Sequence, residues 1–162
     1  MSEVIYRPFE DRDAKAFASL NLAWIEQNFC VEDSDRAQLL EARKNIIDQG
    51  GYIVVAELDG EIVGTGALVS PHYVPDDGHC WMEIIKMATS PKAQGRGIGG
   101  VVIDKLIDRA RALGADRIWL ETNDALGPAV RLYERKGFRA LSEHELWETP
   151  YARCNLQMVC EI

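Results

Sequence analysis

The chain has 162 residues, 47% of them hydrophobic, which is enough to build one compact domain over residues 1–162 without disulfide or metal staples. Its 26 acidic residues against 18 basic ones give a formal charge of -8, a balance that argues against a nucleic-acid duplex or an anionic membrane as partner. No run of about 18 apolar residues occurs and the opening MSEVIYRPFEDRD has no apolar leader core, so the expected location is cytoplasmic. Cys30, Cys80, Cys154 and Cys160 lack CxxC spacing and read as reduced, buried, small apolar residues.

In chain order, Val4 to Arg7 is a short strand stopped by Pro8. Asp11 or Asp13 then caps a helix with Ala14, Phe17, Trp24 and Ile25 on one face. Asp33 or Ser34 caps a second helix, in which Ala37, Leu40, Arg43 and Ile47 recur at helical spacing until Gly50-Gly51. Two strand-like segments, YIVVAEL and EIVGTGALV, flank Asp59-Gly60, the signature of a tight hairpin. Trp81 to Thr89 is a further strand. Ile98 to Gly114 is a helix whose buried side carries Ile103, Leu106, Ile107, Ala110 and Leu113. Arg117 to Glu121 is a strand, Gly127-Pro128 opens a helix that Gly137 ends, and Phe138 is expected to tuck beneath that end. Alternation from Leu156 to Ile162 marks a half-buried closing strand. The order is βααβββαβαββ, an α/β (α+β) domain with a mixed central sheet of about seven strands flanked by about four helices.

Between strand and helix lies Gln94-Gly95-Arg96-Gly97-Ile98-Gly99-Gly100. Its missing Cβ atoms let backbone N–H groups crowd around an anion at the positive end of a helix. Gly95-x-Gly97-x-x-Gly100 also fits the dinucleotide fingerprint, with Glu121 about 20 residues on. Context weighs against that reading. Only 62 residues follow Gly100, and five residues separate the strand from the first glycine where the dinucleotide turn is tight. A P-loop lacks its Gly-Lys-Ser or Gly-Lys-Thr.

Gln94, Gly97 and Gly99 stand in the register of the pyrophosphate loop of the GNAT acetyltransferase superfamily. One strand later, Ala129-Val130-Arg131-Leu132-Tyr133 followed by Gly137-Phe138 is similar to that family's second motif. The resemblance implies acetyl-CoA as cosubstrate, no metal, and an amine of a small molecule or peptide as acceptor. On the cofactor side it implies Gln94, Gly95, Arg96, Gly97, Ile98, Gly99 and Gly100 around the pyrophosphate, and a backbone N–H of Met87, Ala88 or Thr89 as oxyanion donor. Leu126 stands where many members have Asn, and Asn123 is the expected substitute toward the pantetheine arm. Arg96 and Lys92 are expected to add charge near the phosphates. Members are often dimers, with Arg153 to Ile162 as an expected pairing edge.

Acyl transfer to an amine needs a base, an oxyanion donor and an acid for the departing thiolate. An alkyl ammonium of pKa near 10.4 resists deprotonation at pH 7 by roughly 4 to 5 kcal/mol, which a base offsets. Glu83 in WMEIIKM, at a position like that of the family's catalytic carboxylate, is the expected base, and Tyr133 the expected acid. His72 and His79 are alternative proton carriers, with His144 weakest. Trp24, Phe29, Glu32, Asp33, Asp35, Tyr73, Asp76 and Asp77, on the acceptor-side segments of the resembled family, suit a cationic amine. A non-catalytic acyl-CoA-binding module is the alternative function.

Overall fold

The computed structural model describes residues 2–149 and 151–162. The chain runs β1 (Ile5–Pro8), α1 (Ala14–Asn28), α2 (Asp33–Leu40), a π-turn (Arg43–Ile47), β2 (Tyr52–Leu58), β3 (Glu61–Val69), β4 (Trp81–Thr89), α3 (Ile98–Ala112), β5 (Arg117–Thr122), α4 (Gly127–Arg135), β6 (Arg139–Ala140) and β7 (Leu156–Glu161). All seven strands join one sheet in the order β1-β2-β3-β4-β5-β7-β6. Every neighbouring pair is antiparallel except β4–β5. The mixed sheet and the helix count agree with the sequence reading.

Two apolar layers cover the sheet, one per face. Phe17 and Ile25 of α1 pack with Leu39, Ile46, Ile53 and Val55 on one side. On the other side Val102, Ile103, Leu106 and Ala110 of α3 pack with Val54, Leu68, Ile118 and Met158. Glycines set the depth of α3: a Cβ on Gly64 would come within 2.5 Å of Ile98 Cγ2, and one on Gly66 within 2.5 Å of Val102 Cγ1. Only bare backbone lets the helix sit so low. The β2–β3 hairpin forms as its Asp-Gly pair requires, with Asp59 at φ 53° and Gly60 at φ 80°. Gly114 and Gly137 close α3 and α4 at positive φ (85° and 98°), and Phe138 lies buried edge-on to the Tyr133 ring.

Five expectations need correction. The second helix is not continuous: it breaks at Glu41 (φ -133°, ψ 55°), and its buried face is Asp35, Leu39, Ala42 and Ile46. Leu40, on the expected face, is 66% exposed. An apolar periodicity could not register a face begun by a buried carboxylate. Leu113, 47% exposed, lies past the end of α3 and not on its buried side. Cys30 and Cys80 are exposed, because neither lies on a core-facing element; only Cys160 is fully buried. β7 is buried on both faces from Gln157 to Cys160 instead of alternating. Nor is β7 a free edge: β5 pairs with one side, and β6 covers Met158 and Val159 on the other. Its place inside the sheet removes the open edge along those residues.

Candidate active site

β4 and β5 are parallel neighbours over only three residue pairs, Trp81 with Arg117, Met82 with Ile118 and Glu83 with Trp119. Beyond them β4 follows β3 and β5 follows β7, so the two strands diverge. The wedge between them opens into a cavity lined by Glu83–Met87 from β4 and Leu120–Asn123 from β5. Leu126 and Tyr133 line the α4 side, Trp24, Ile25 and Phe29 the α1 side, and Tyr151, Arg153 and Cys154 the far side.

The glycine loop lies at the start of α3. Gly95 (φ 82°) and Gly97 (φ 73°) adopt the left-handed conformation that side chains disfavour, and Gly97 is the N-cap of α3. Nothing lies within 4 Å of a Cβ added to either, so their conformation alone demands glycine. The N–H groups of Ile98, Gly99 and Gly100 follow at the positive helix end, a cradle suited to phosphate. Gly99 and Gly100 serve packing instead: a Cβ on Gly99 would come 3.1 Å from Leu132, and one on Gly100 3.4 Å from the Lys136 side chain of the α4 end. Lys136 pairs with Asp104 at 2.8 Å and is a cation beside the cradle that no motif or spacing marks. Arg96 is exposed, while Lys92 makes an exposed contact with Glu61 at 3.4 Å.

The middle of β4 carries a bulge. Thr65 pairs with Ala88 and Ala67 with Ile85, so Lys86 and Met87 together face Gly66 and one of them lacks a ladder partner. Lys86 holds φ 56°, a strained angle for a residue with a Cβ. Two side-chain contacts fix it. Asn21 Nδ2 donates to Thr65 Oγ1 (3.0 Å), which donates to the Lys86 carbonyl (2.9 Å). Lys86 Nζ donates to Asp35 Oδ1 at 2.9 Å, with side chains 4% and 0% exposed respectively. Burial alone would raise the Asp35 carboxyl, but hydrogen bonds from Arg153 and Lys86 outweigh it and hold it at about 2. Burial pulls the Lys86 ammonium below its usual range, against the opposing pull of Asp35.

Three carboxyl or phenol groups define the chemistry. Glu83 is buried, and its Oε1 accepts from the His72 backbone N–H (3.3 Å) and from Nδ1 (2.9 Å). His72 Nε2 meets the Glu148 carbonyl at 2.7 Å. Both ring nitrogens face acceptors, so both carry protons and His72 is an imidazolium. The Glu83 hydrogen bond, opposed by burial, lifts its pKa to about 9.

Glu121, on β5, is different. Neither of its carboxylate oxygens is exposed and neither has a hydrogen-bond partner among the described residues. Burial first, then the Glu83 charge, raises its pKa to about 7. Thr149 and the positive charges of His72 and Arg153 pull the other way, without a hydrogen bond of good geometry. Tyr133 is buried beneath α4, and burial pushes its phenol up to about 12.

The cavity thus brings together Glu83, Met87, Asn123 and Tyr133 from the sequence expectations, with Trp24 and Phe29. Asn123 is occupied within the chain: Nδ2 donates to the Arg153 carbonyl (2.7 Å) and Oδ1 accepts from Ala125 (2.9 Å). His79 sits elsewhere, on Asp116 at 3.0 Å, and His144 is exposed on a short turn. Asp77 accepts from Trp81 Nε1 (3.0 Å) outside the cavity, and Tyr73 packs on Trp147. Glu121, Lys86, Arg153 and Tyr151 were missed as site residues. Glu121 stood in view as the acid of a rejected fingerprint, and the only added signal was its place at the end of a strand next to the glycine-loop strand. Among the described residues no cluster of three or more His, Cys, Asp or Glu forms a metal site. No helix among the described residues is long and apolar enough to cross a membrane.

Residues 17–138 match the family model described as the acetyltransferase (GNAT) family. The chain is 28% identical over 138 residues to the uncharacterized N-acetyltransferase YjgM of Escherichia coli (strain K12), covering 85% of this chain and 78% of that one. It is 33% identical over 87 residues to a mycothiol acetyltransferase of Beutenbergia cavernae, covering 54% of this chain but 29% of that one. A GNAT-family acetyltransferase of Staphylococcus aureus MU50 superposes with TM-score 0.85 at 20% identity, over 98% of this chain and 99% of that one. YncA of Salmonella typhimurium, a putative acetyltransferase solved with its cofactor acetyl-CoA, superposes with TM-score 0.73 at 19% identity over 98% and 93%. The chain belongs to the GNAT acetyltransferase family and is an acyltransferase enzyme built on that fold.

Proposed function

We propose that the protein transfers the acetyl group of acetyl-CoA to a primary amine, with Glu121 taking the amine proton and Tyr133 returning one to the thiolate. The observation that carries this reading is Glu121: a carboxylate buried in the cavity, with no partner among the described residues and a pKa raised to about 7. Buried polar groups in folded proteins are almost always bonded, so an unpartnered pair of oxygens points to a donor from outside the chain, an ammonium or a water. A base poised near neutrality also suits proton abstraction at pH 7. Glu83, the residue expected from the sequence, lies in the same cavity, but its Oε1 is engaged by His72. It acts here through its charge, which raises Glu121.

Acetyl-CoA supplies an activated thioester: the amine nitrogen forms a C–N bond, the C–S bond breaks, and the thiol leaves. The glycine cradle from Gly95 to Gly100 suits its pyrophosphate. At the β4 bulge, where Lys86 and Met87 together face Gly66, the backbone N–H of Met87 is our oxyanion donor, ahead of Ala88 and Thr89, which stay in register with β3. Gln94, Arg96 and Ile98 flank the cradle, and Asn123 shapes the turn before α4.

The proton balance at the thiol end is set by the cavity itself. With ordinary values, phenol to thiolate transfer is uphill by about 1.5 units, or roughly 2 kcal/mol. Burial raises Tyr133 to about 12, which widens that gap for a solvated thiol. The cavity's own thiol, Cys154, is pushed to about 12 by the same burial, with Glu121 adding to it. A thiol leaving inside this cavity meets similar desolvation, so acid and leaving group are matched. The test is incubation of purified protein with acetyl-CoA and an amine panel, following free thiol and the N-acetyl product by mass. Thiol release matched by N-acetyl product is the expected outcome; acetyl-CoA binding with no product from any amine contradicts the reading.

A further inference from the structure

The acceptor end of the cavity is bordered by a strap from Tyr151 to Asn155, held against α2 from the far end of the sequence. Tyr151 Oη donates to Gln38 Oε1 (3.2 Å) and the Ala152 N–H to Glu32 Oε1 (3.3 Å). Arg153 grips Asp35 with two bonds (2.6 and 2.8 Å) and Glu32 with a third (3.1 Å). At the strap's other end Asn155 accepts from the Asp124 N–H at 2.9 Å. Such a bridge walls one side of the pocket and narrows the approach of a lysine or N-terminus on a folded protein.

The charges that line that pocket, taken with the side chains that pair with them, nearly cancel. Lys86 and Arg153 carry two positive charges, and the Asp35 and Glu32 carboxylates that bind them carry two negative ones. The imidazolium of His72 balances Glu83. Among the described residues one of these groups is left uncompensated, Glu121, whose oxygens have no partner there. Around it the acceptor side is aromatic: Trp24 and Phe29 pack at 6.4 Å, and Tyr151 is pinned between Arg153 (4.4 Å) and Lys86 (5.5 Å).

From this charge balance and the aromatic lining we infer that the acceptor is a small monoamine with an apolar or aromatic body and no carboxylate or second ammonium. The inference rests on the amine-acetyl-transfer reading above and narrows it. A single ammonium finds the Glu121 carboxylate, which has no partner among the described residues, and its body finds Trp24, Phe29 and Tyr151. A substrate carboxylate would meet cations already neutralised and would lie near Glu121 and Glu83, so it would lose its hydration without gaining a partner. A second ammonium would have no second free carboxylate.

The experiment compares kcat/KM for four acceptors with acetyl-CoA saturating. They are 2-phenylethylamine, phenylalanine (the same body with a carboxylate), 1,4-diaminobutane and a short peptide with a free N-terminus. The expected result is a preference for 2-phenylethylamine of at least tenfold over each of the others. In Asp35→Asn, which leaves the Lys86 and Arg153 charges in excess, the ratio of 2-phenylethylamine to phenylalanine is expected to fall at least tenfold. Glu32→Gln, at a half-buried position, shifts the ratio the same way if Asp35→Asn does not fold. Equal or better turnover of phenylalanine, diaminobutane or peptide overturns the inference and leaves amine acetylation standing. Silence from all four amines overturns this inference, and thiol release on the wider amine panel then decides whether amine acetylation itself stands. A ratio unchanged in both variants rejects the charge argument.

Discussion

At the proposed donor end of the cleft the groups offered to the cosubstrate are backbone: Gly95 and Gly97 at positive φ and the first N–H groups of α3. At the acceptor end they are side chains from distant segments, and Asp35 binds an arginine 118 residues away. A backbone cradle needs only a local conformation, which glycine supplies within one loop. The acceptor end needs the tertiary fold before any of its charges has a partner. Donor recognition is therefore separable from acceptor chemistry, and substitutions should divide the same way.

The largest expected effect falls on the acceptor side. Glu121→Gln removes the proposed base and should lower kcat at pH 7 by about 10² to 10⁴, read from thiol release. It should also change stability against pH. The folded-state pKa of Glu121 is raised from 4.5 to about 7, so the native protein gives up stability as pH rises through that window. Glu121→Gln should abolish this loss and be the more stable protein at pH 8 by about 1 to 2 kcal/mol, discounted for partial solvation, in urea titrations. A variant with wild-type kcat would erase the distinction between the two ends.

Tyr133→Phe should lower kcat by about 10- to 100-fold while the acetyl-CoA KM stays within about twofold. An equal rise in KM would make Tyr133 a binding residue instead. The bulge gives a sharper comparison, because Lys86→Ala and Lys86→Gly both delete the ion pair to Asp35 but only glycine takes φ 56° without strain. Lys86→Ala should lose about tenfold in kcat and Lys86→Gly about threefold or less, with melting temperatures measured for both. Equal losses would show that the angle of the bulge is not what matters.

Donor-side effects should be smaller and confined to affinity. Gly97→Ala meets open space but an unfavourable angle, so a strain of about 1 kcal/mol should weaken acetyl-CoA binding about fivefold by calorimetry, with kcat at saturation little changed. Arg96→Ala, at an exposed position, should weaken binding about twofold at low salt and less as salt rises.

The same division explains what the sequence disclosed. The Asp59-Gly60 hairpin, the glycine loop, the caps at Gly114 and Gly137 and the buried face of α3 depend on neighbours a few positions apart, and each was readable. The α2 segment was misread because its buried face opens on Asp35, whose burial makes sense only beside Lys86 and Arg153. Glu83 and Glu121 look alike as strand carboxylates. What separates them is a histidine from the β3–β4 loop on one and no partner on the other, which only the folded chain decides.

The most direct test of a carboxylate base poised near neutrality is the pH dependence of kcat/KM for one amine, compared between the wild type and Glu121→Gln. The wild-type profile should rise through an inflection near pH 7 as Glu121 ionises, and that inflection should vanish in the variant. An inflection of the same pKa surviving in Glu121→Gln would contradict the assignment and return the base to another group.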